Sequence, residues 1–278
     1  MQKKNSVSIN DKIEKFDKNI TVESDKSISH RSLLIASQCI GLSNIKNILE
    51  SDDIRNTIIC LKKLGVKILK KNRKYIVYGN GLGSFKKPKN NFLYAGNSGT
   101  LARMLFPLLG TQSNIKVKIA GDDSLNKRDM KRIIDPLSKI GCNFYPKNKT
   151  TLPLTIEGTG MPLAQKHFER IGSSQVKSAI LLAGLNTPGI TQIEVKKNSR
   201  NHTENLLKAI KADIKIKKLA KSHLISLRGQ KNLFGFNLKI PGDLSSAAPF
   251  IILTLLTANS KLLIRNVNCN KTRIGFIN

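Results

Sequence analysis

The chain of 278 residues is 40% hydrophobic, 24% charged and 5% aromatic, and 48 Lys and Arg against 18 Asp and Glu give it a formal net charge of +30. That length supports a buried core and one large or two ordinary domains, which excludes a disordered chain and a mini-protein held by disulfides. The excess base is mostly Lys scattered in ones and twos from Lys3 to Lys271, a dispersed field rather than a concentrated nucleic-acid-binding arm, although it enriches small anions near a cleft.

The polar start MQKKNSVSINDK has no apolar signal-peptide core, and no run approaches the ~18 apolar residues of a membrane span. From Asp25, DKSISHRSLLIASQCIG reads as a loop of small and hydroxyl residues entering an apolar helix, followed by the strand NIKNIL. An amphipathic helix, DDIRNTIICLKKLG, begins near Asp52, with Asp52 and Asp53 as its capping residues and Gly65 as its C-cap. The alternation VKIL follows, and GNGLG at Gly79, with no helix after it, is a turn between strands. The same order then recurs. GNSGTLARMLFPLLG from Gly96, the strand IKVKIAG, the helix KRDMKRIIDPLSKIG from about Lys127 and the alternation CNFY form a second unit. GSSQVKSAILLAGL from Gly172, TQIEVKK, RNHTENLLKAIKA from about Arg200 and IKIK form a third. A fourth opens with GDLSSAAPFIILTLL from Gly242 and KLLIRNV, and reaches Lys271 and Arg273 where a second helix is due.

Ser27, Ser98, Ser174 and Ser245 mark the four loops at spacings of 71, 76 and 71 residues, so the chain is a βαβαββ repeat. Any one hydroxyl-led helix start is an ordinary N-cap. Four phased ones, each with free backbone N–H groups, form a set of anion sites if the units converge on one cleft. Lys26 supplies a mobile cation there, and Ser27 and Arg31 share one helix face. Gly96 and Gly99 allow close backbone approach and Asn97 offers an amide. Arg128 and Arg200, at second-helix starts where the macrodipole disfavours a cation, suit bidentate binding of carboxylate or phosphate. His30, His167, His202 and His223 have no metal-ligand spacing, and His202 reads as a structural residue at a helix start. Neither a metal nor a cofactor is expected. Cys39, Cys60, Cys142 and Cys269 lie far apart without a C-x-x-C pair, as buried free thiols of a reducing, cytoplasmic setting do.

SDKSISHRSLLIAS, LYAGNSGTLARML, GDDSLNKRDMKRIIDPL, GSSQVKSAILLAGLNTPGIT, RNHTENLL and IPGDLSSAAPFI, in this order and spacing, resemble the 5-enolpyruvylshikimate-3-phosphate synthases, or 3-phosphoshikimate 1-carboxyvinyltransferases, in their bacterial class II wording. The resemblance implies an α/β fold in which each of two domains is an inside-out barrel of three βαβαββ units, with the active site between them. Residues 21–240 would be one whole domain, and 1–20 with 241–278 an incomplete part of the second. It implies transfer of the enolpyruvyl group from phosphoenolpyruvate to the 5-hydroxyl of shikimate 3-phosphate, by a protein that is monomeric at full length, needs no cofactor and engages neither nucleic acid nor membrane.

Residue by residue, Lys26 matches the family lysine that contacts both substrates and is the one catalytic candidate. Ser27, Arg31, Ser173, Ser174 and Arg200 match ligands of shikimate 3-phosphate. Asn97, Gly99 and Arg128 match the phosphoenolpyruvate side, with Ser98 in place of the usual Ala, and Gln175 matches a residue serving both. The family's proton-transferring aspartate and glutamate come from the other domain, at positions that would lie beyond Asn278. The chain therefore reads as an incomplete sequence offering half a cleft, with its activity alone in doubt and poor solubility from the apolar helix near Phe250. Two alternatives stand beside this. One is the related enolpyruvyl transferase acting on a UDP-amino sugar, which would call for a loop cysteine where Cys142 instead sits at a helix exit. The other is a non-catalytic anion or nucleic-acid binder.

Overall fold

The structure, a computed structural model, describes residues 13–277 apart from 73 and 198. Three sheets of four strands surround three helices, an inside-out α/β arrangement. In the second unit, β5 (Phe92–Tyr94), α3 (Gly99–Gly110), β6 (Lys116–Ala120), two helices α4 (Asp123–Asn126) and α5 (Lys131–Ile140), β7 (Asn143–Tyr145) and β8 (Leu154–Glu157) build a sheet ordered β5-β6-β8-β7. In the third, β9 (Lys166–Glu169), α6 (Ser174–Leu185), β10 (Ile190–Val195), α7 (His202–Ala209), β11 (Ile214–Lys218) and β12 (His223–Arg228) repeat it as β9-β10-β12-β11. One parallel pair, β5–β6 or β9–β10, is followed in each by two antiparallel ones.

The first unit departs from this order. α1 (Lys26–Ser37), β2 (Ile40–Lys46), α2 (Asp52–Lys63), β3 (Lys67–Lys71) and β4 (Lys74–Asn80) supply three strands, and the parallel edge strand is β13 (Asn237–Lys239), from the far end of the third unit. The ring of sheets is thus closed by the chain's return. The strand ahead of α1, β1 (Asp17–Ile20), pairs instead with β14 (Lys261–Ile264), which follows α8 (Leu244–Leu256).

Sequence decides which helices go inside. α3 and α6 are apolar on nearly every side and are buried along almost their whole length, as is the C-terminal half of α1. Leu33, Leu105 and Leu181 are fully buried in one continuous core, and Phe106 meets Phe144 edge to face at 5.4 Å between ring centroids. α2, α5 and α7 carry one apolar stripe each and lie between the inner helices and solvent. α8 is different, because only Leu244 and Ala247 of it are buried, while Leu255 and Leu256 are each 81% exposed. Beyond β14, residues 271–277 form turns rather than the second helix of a fourth unit.

The repeated helix starts are capped by side chains. Asp25, Ser98, Ser173 and Asp243 accept from the N–H groups of Ile28, Leu101, Val176 and Ser245. Ser98 is therefore itself a cap, whereas Ser27 and Ser245 fall within the first helical turn. Asp52 and Asp53 are not the caps that the sequence suggests: Ser51 holds that position, and both aspartates lie in the first turn of α2. Gly141 closes α5 in the left-handed conformation that its C-cap role requires.

Candidate active site

The N-terminal ends of α1, α3 and α6 meet at one end of the ring. Ser27 and Arg31 of α1, Thr100 of α3, Ser173, Ser174 and Gln175 of the α6 start, and Ser199, Arg200 and Thr272 line a single cavity of about 520 Å³. It is walled by hydroxyls, an amide and two guanidinium groups, the lining expected for a small oxyanion.

Arg31 is the most constrained of these. Its side chain is 3% exposed, yet Nε donates to Thr203 Oγ1 at 2.8 Å, Nη2 to Ser178 Oγ at 3.0 Å and Nη1 to the Ser27 carbonyl at 2.9 Å. Three of its five N–H groups are thereby used to fix the fork, and two remain for the cavity it lines. Burial draws its pKa down to about 10, opposed by Glu204 and Asp25, so it stays a cation at neutral pH. The neighbouring charges are also buried: Lys177 pairs with Glu204 at 2.7 Å and donates to the Ser199 carbonyl at 3.3 Å, tying the segment before Arg200 to α6.

A second group of polar side chains adjoins the first. Arg128 Nη2 donates to Asn97 Oδ1 at 2.8 Å, and Asn97 Nδ2 to Asp122 at 2.7 Å. Asp122 caps α4, and the Leu125 N–H and the Asn97 amide hold its carboxyl below the usual range. Arg103 Nη1 donates to Gln175 Oε1 at 3.0 Å, and Gln175 Nε2 to Thr100 Oγ1 at 3.2 Å, so one amide joins both groups. A Cβ on Gly99 would lie 2.9 Å from Arg103 Nη1 and 3.3 Å from Arg128 Nη1, so glycine here lets two guanidinium groups close on the helix start.

Lys26 lies apart from the lining of the cavity; its half-exposed ammonium is paired with Asp53 of α2. Behind the helix starts, His30 Nδ1 is 2.8 Å from Thr57 Oγ1 and its Nε2 3.4 Å from Ser98 Oγ, joining α1, α2 and α3. Burial, with Lys26 and Arg31 nearby, depresses its pKa to about 3, so it is neutral. The Ser98 hydroxyl is spent on this contact and on its cap.

Several sequence expectations need correction. Arg128 is not at a second-helix start: it follows the end of α4 and precedes α5, a placement compatible with a cation. The short helix from Asp123 was not legible because DDSLN is too brief for periodicity to declare itself. Arg200 lies ahead of α7, whose N-cap is Asn201. At the α6 start the loop amides are taken, since the Glu169 carboxylate accepts from Ile171 at 3.1 Å, Gly172 at 2.9 Å and the N-cap Ser173 at 3.0 Å, whereas the first helical N–H groups, of Ser174 and Gln175, have no protein partner among the described residues. Nothing in the sequence singles out Arg103, Thr100 or Glu169, and Asp53 stands out there only as a helix cap. Only its helical spacing, four residues beyond Gly99, could have flagged Arg103. Cys39, Cys60 and Cys142 are buried free thiols whose pKa burial raises to about 12, while Cys269 is exposed. No helix among the described residues is long and apolar enough to cross a membrane.

A ring of βαβαββ units around buried helices, with paired cationic groups at the helix starts, defines an enolpyruvyl transferase-type scaffold. Residues 10–278 match the sequence profile of EPSP synthase (3-phosphoshikimate 1-carboxyvinyltransferase), and the chain belongs to this family. It is 45% identical over 269 residues to the 3-phosphoshikimate 1-carboxyvinyltransferase of Petrotoga mobilis, covering 95% of this chain and 60% of that protein. The corresponding protein of Bartonella quintana is 43% identical, with 93% and 58% covered. The solved structure of EPSP synthase from Acinetobacter baumannii superposes with a TM-score of 0.85 at 35% identity, over 95% of this chain and 59% of the other. The chain thus spans about 60% of the length of these curated relatives.

Proposed function

We propose that this chain provides the substrate-binding face for transfer of the enolpyruvyl group from phosphoenolpyruvate to the 5-hydroxyl of shikimate 3-phosphate, releasing phosphate. The observation that carries this reading is the pairing of two cationic groups, Arg31 with Arg200 and Arg103 with Arg128, bridged by Gln175. Two anions that repel one another in water are brought together there, and their alignment removes much of the entropic cost of the encounter.

In this reading, Ser27, Arg31, Ser173, Ser174 and Arg200 hold the phosphate and ring of shikimate 3-phosphate. Asn97, Gly99 and Arg128 receive phosphoenolpyruvate, and Gln175 touches both substrates. Lys26 leaves Asp53 to meet both substrates and offsets charge as the 5-hydroxyl loses its proton and its oxygen bonds to the enol carbon while the methylene carbon takes up a proton, giving a tetrahedral intermediate; loss of a proton from the new methyl group then expels phosphate and restores the double bond. Fixed guanidinium groups stabilise that charge without reorganising. Among the described residues the cavity lining contains no carboxylate or histidine, so the roles assigned to this chain are binding and charge stabilisation rather than proton transfer. Residues 21–240 form the domain bearing these groups, with the β1–β14 pair supporting a separate assignment for the flanking segments. A reducing, cytoplasmic setting accords with the three buried free thiols.

Titration calorimetry tests the reading. Shikimate 3-phosphate should bind the chain and Arg31→Lys should weaken it at least about tenfold, because an ammonium cannot reproduce the fork. Phosphoenolpyruvate should depend in the same way on Arg128. Binding of both ligands indifferent to either substitution would refute the assignment.

A further inference from the structure

Glu169 closes β9 and is 3% exposed, although it is a carboxylate a few residues from a cavity built for anions. Its two oxygens collect the three consecutive N–H groups of Ile171, Gly172 and Ser173, at 2.9 to 3.1 Å. Such a run of converging backbone donors at a helix start is the arrangement that elsewhere captures a ligand's phosphate. Here it is filled from within the chain. A buried carboxylate costs several kcal/mol unless its lone pairs are satisfied, and charge-assisted bonds to three amides do so. The bonds also fix the backbone of the loop that presents Ser173, Ser174 and Gln175. The Ser173 hydroxyl oxygen accepts from Val176, and Gln175 reaches Arg103 and Thr100.

We propose that Glu169 is a positioning residue for the sugar-phosphate site, an internal anion that occupies the backbone donors of the loop ahead of α6 and thereby holds Ser173, Ser174 and Gln175 in place for the ligand. The proposal deepens the function proposed above and rests on it for its ligand. The consequence is a specificity rule: the three loop amides are closed to a free oxyanion, and the incoming phosphate meets the hydroxyls, Gln175, Arg31, Arg200 and the N–H groups of Ser174 and Gln175.

The test has two arms. In the first, amide hydrogen exchange is followed in the unliganded chain, which needs no binding activity. Ile171, Gly172 and Ser173 should exchange at least about a hundredfold more slowly than open-loop amides, and Glu169→Gln should release Gly172, because one carboxamide oxygen can serve Ile171 and Ser173 while its NH2 confronts the Gly172 donor. Unprotected amides in the native chain, or protection unchanged in the variant, would overturn the clamp. In the second arm, calorimetry compares shikimate 3-phosphate with inorganic phosphate. Glu169→Gln should lose about tenfold in affinity for shikimate 3-phosphate, the equivalent of ~1.4 kcal/mol, and Glu169→Ala, with the nest vacated, should gain affinity for inorganic phosphate. Tight binding of the sugar phosphate by both variants, with no gain for inorganic phosphate, would overturn the positioning role. A native chain that binds no shikimate 3-phosphate but shows the protected amides would instead count against the proposed function and leave the clamp standing.

Discussion

Replacing Gly99 by alanine separates stability from binding, because the added methyl acts on them in opposite directions. Gly99 opens α3, and its backbone has the conformation of an ordinary helical residue, so alanine is tolerated and gains up to ~1 kcal/mol of helix propensity, less at a first turn than in mid-helix. The cost falls on the neighbours. At 2.9 Å from Arg103 Nη1 and 3.3 Å from Arg128 Nη1, the methyl sits about 0.5 Å inside ordinary contact with the first and close to it with the second. Both are ends of flexible side chains, so they yield rather than the helix. When Arg103 withdraws, its 3.0 Å bond to Gln175 lengthens and the bridge between the two cationic groups opens. A charge-assisted bond is worth about 1.5–3 kcal/mol; discounted for the partial exposure of Arg103, the loss is about 1–2 kcal/mol, or a five- to thirtyfold weaker hold on phosphoenolpyruvate. Thermal melting and calorimetry with phosphoenolpyruvate, shikimate 3-phosphate being saturating, read the two effects separately. The melting temperature should be unchanged or slightly raised while affinity falls. An alanine variant that binds phosphoenolpyruvate as tightly as the native chain would refute the role given to this close approach, and a melt several degrees lower would show that the helix, not the arginines, had yielded.

Further outcomes are expected. His30 and His202 have folded pKa values lowered by burial to about 3 and about 4, so below pH ~6.5 the unfolded chain takes up protons that the native chain refuses. Stability should be flat above that pH and decline as pH falls toward 4, by up to ~1.4 kcal/mol per unit for each histidine; urea melts at several pH values should show a shallower slope for His30→Asn, and an equal slope would remove His30 from the account. Phe106→Ala should cost about 3–5 kcal/mol in denaturant unfolding, since the ring is fully buried against Phe144; a cost below 1 kcal/mol would mean that the core collapses into the gap. Leu255→Lys combined with Leu256→Glu should reduce self-association in sedimentation without shifting the melt, because both side chains are 81% exposed. A native chain that is already monodisperse at high concentration would show that the apolar face of α8 is not sticky.

Most of the architecture was legible because it repeats. α3 and α6, apolar on nearly every side, announce interior positions and the amphipathic α2, α5 and α7 outer ones, and the phasing of the repeat places α1 with the inner helices despite its polar first half. The same phasing pointed to Ser27, Arg31, Ser173, Ser174, Gln175 and Arg200, which line one cavity. Long-range contacts were not legible. Nothing in the local pattern of β13 says that it joins β2 rather than its neighbours, nor that Asp53 meets Lys26 or that Arg103 reaches Gln175. The burial of Ser29, His30, Arg31 and Ser32 also runs against composition, since a polar first half of an inner helix is stable only when partners such as Thr57, Thr203 and Ser178 arrive from other units. Glu169 was hidden for a similar reason, because its ligands are backbone atoms and leave no trace in residue types.

The return of β13 to the first sheet bears on when, as well as how, the ring forms. Asn237 pairs with Asn44, so the parallel edge of the first sheet arrives only after almost two hundred further residues have been made. The second and third sheets can be completed from contiguous chain, whereas the first stays with an open edge until synthesis has passed Lys239. Closing so large a loop is slow compared with local pairing, and an open edge is the place where a nascent chain pairs wrongly. The first unit is therefore the earliest to be synthesised and the last to be finished, and because it carries Ser27 and Arg31, the cavity comes into being only at the moment the ring shuts.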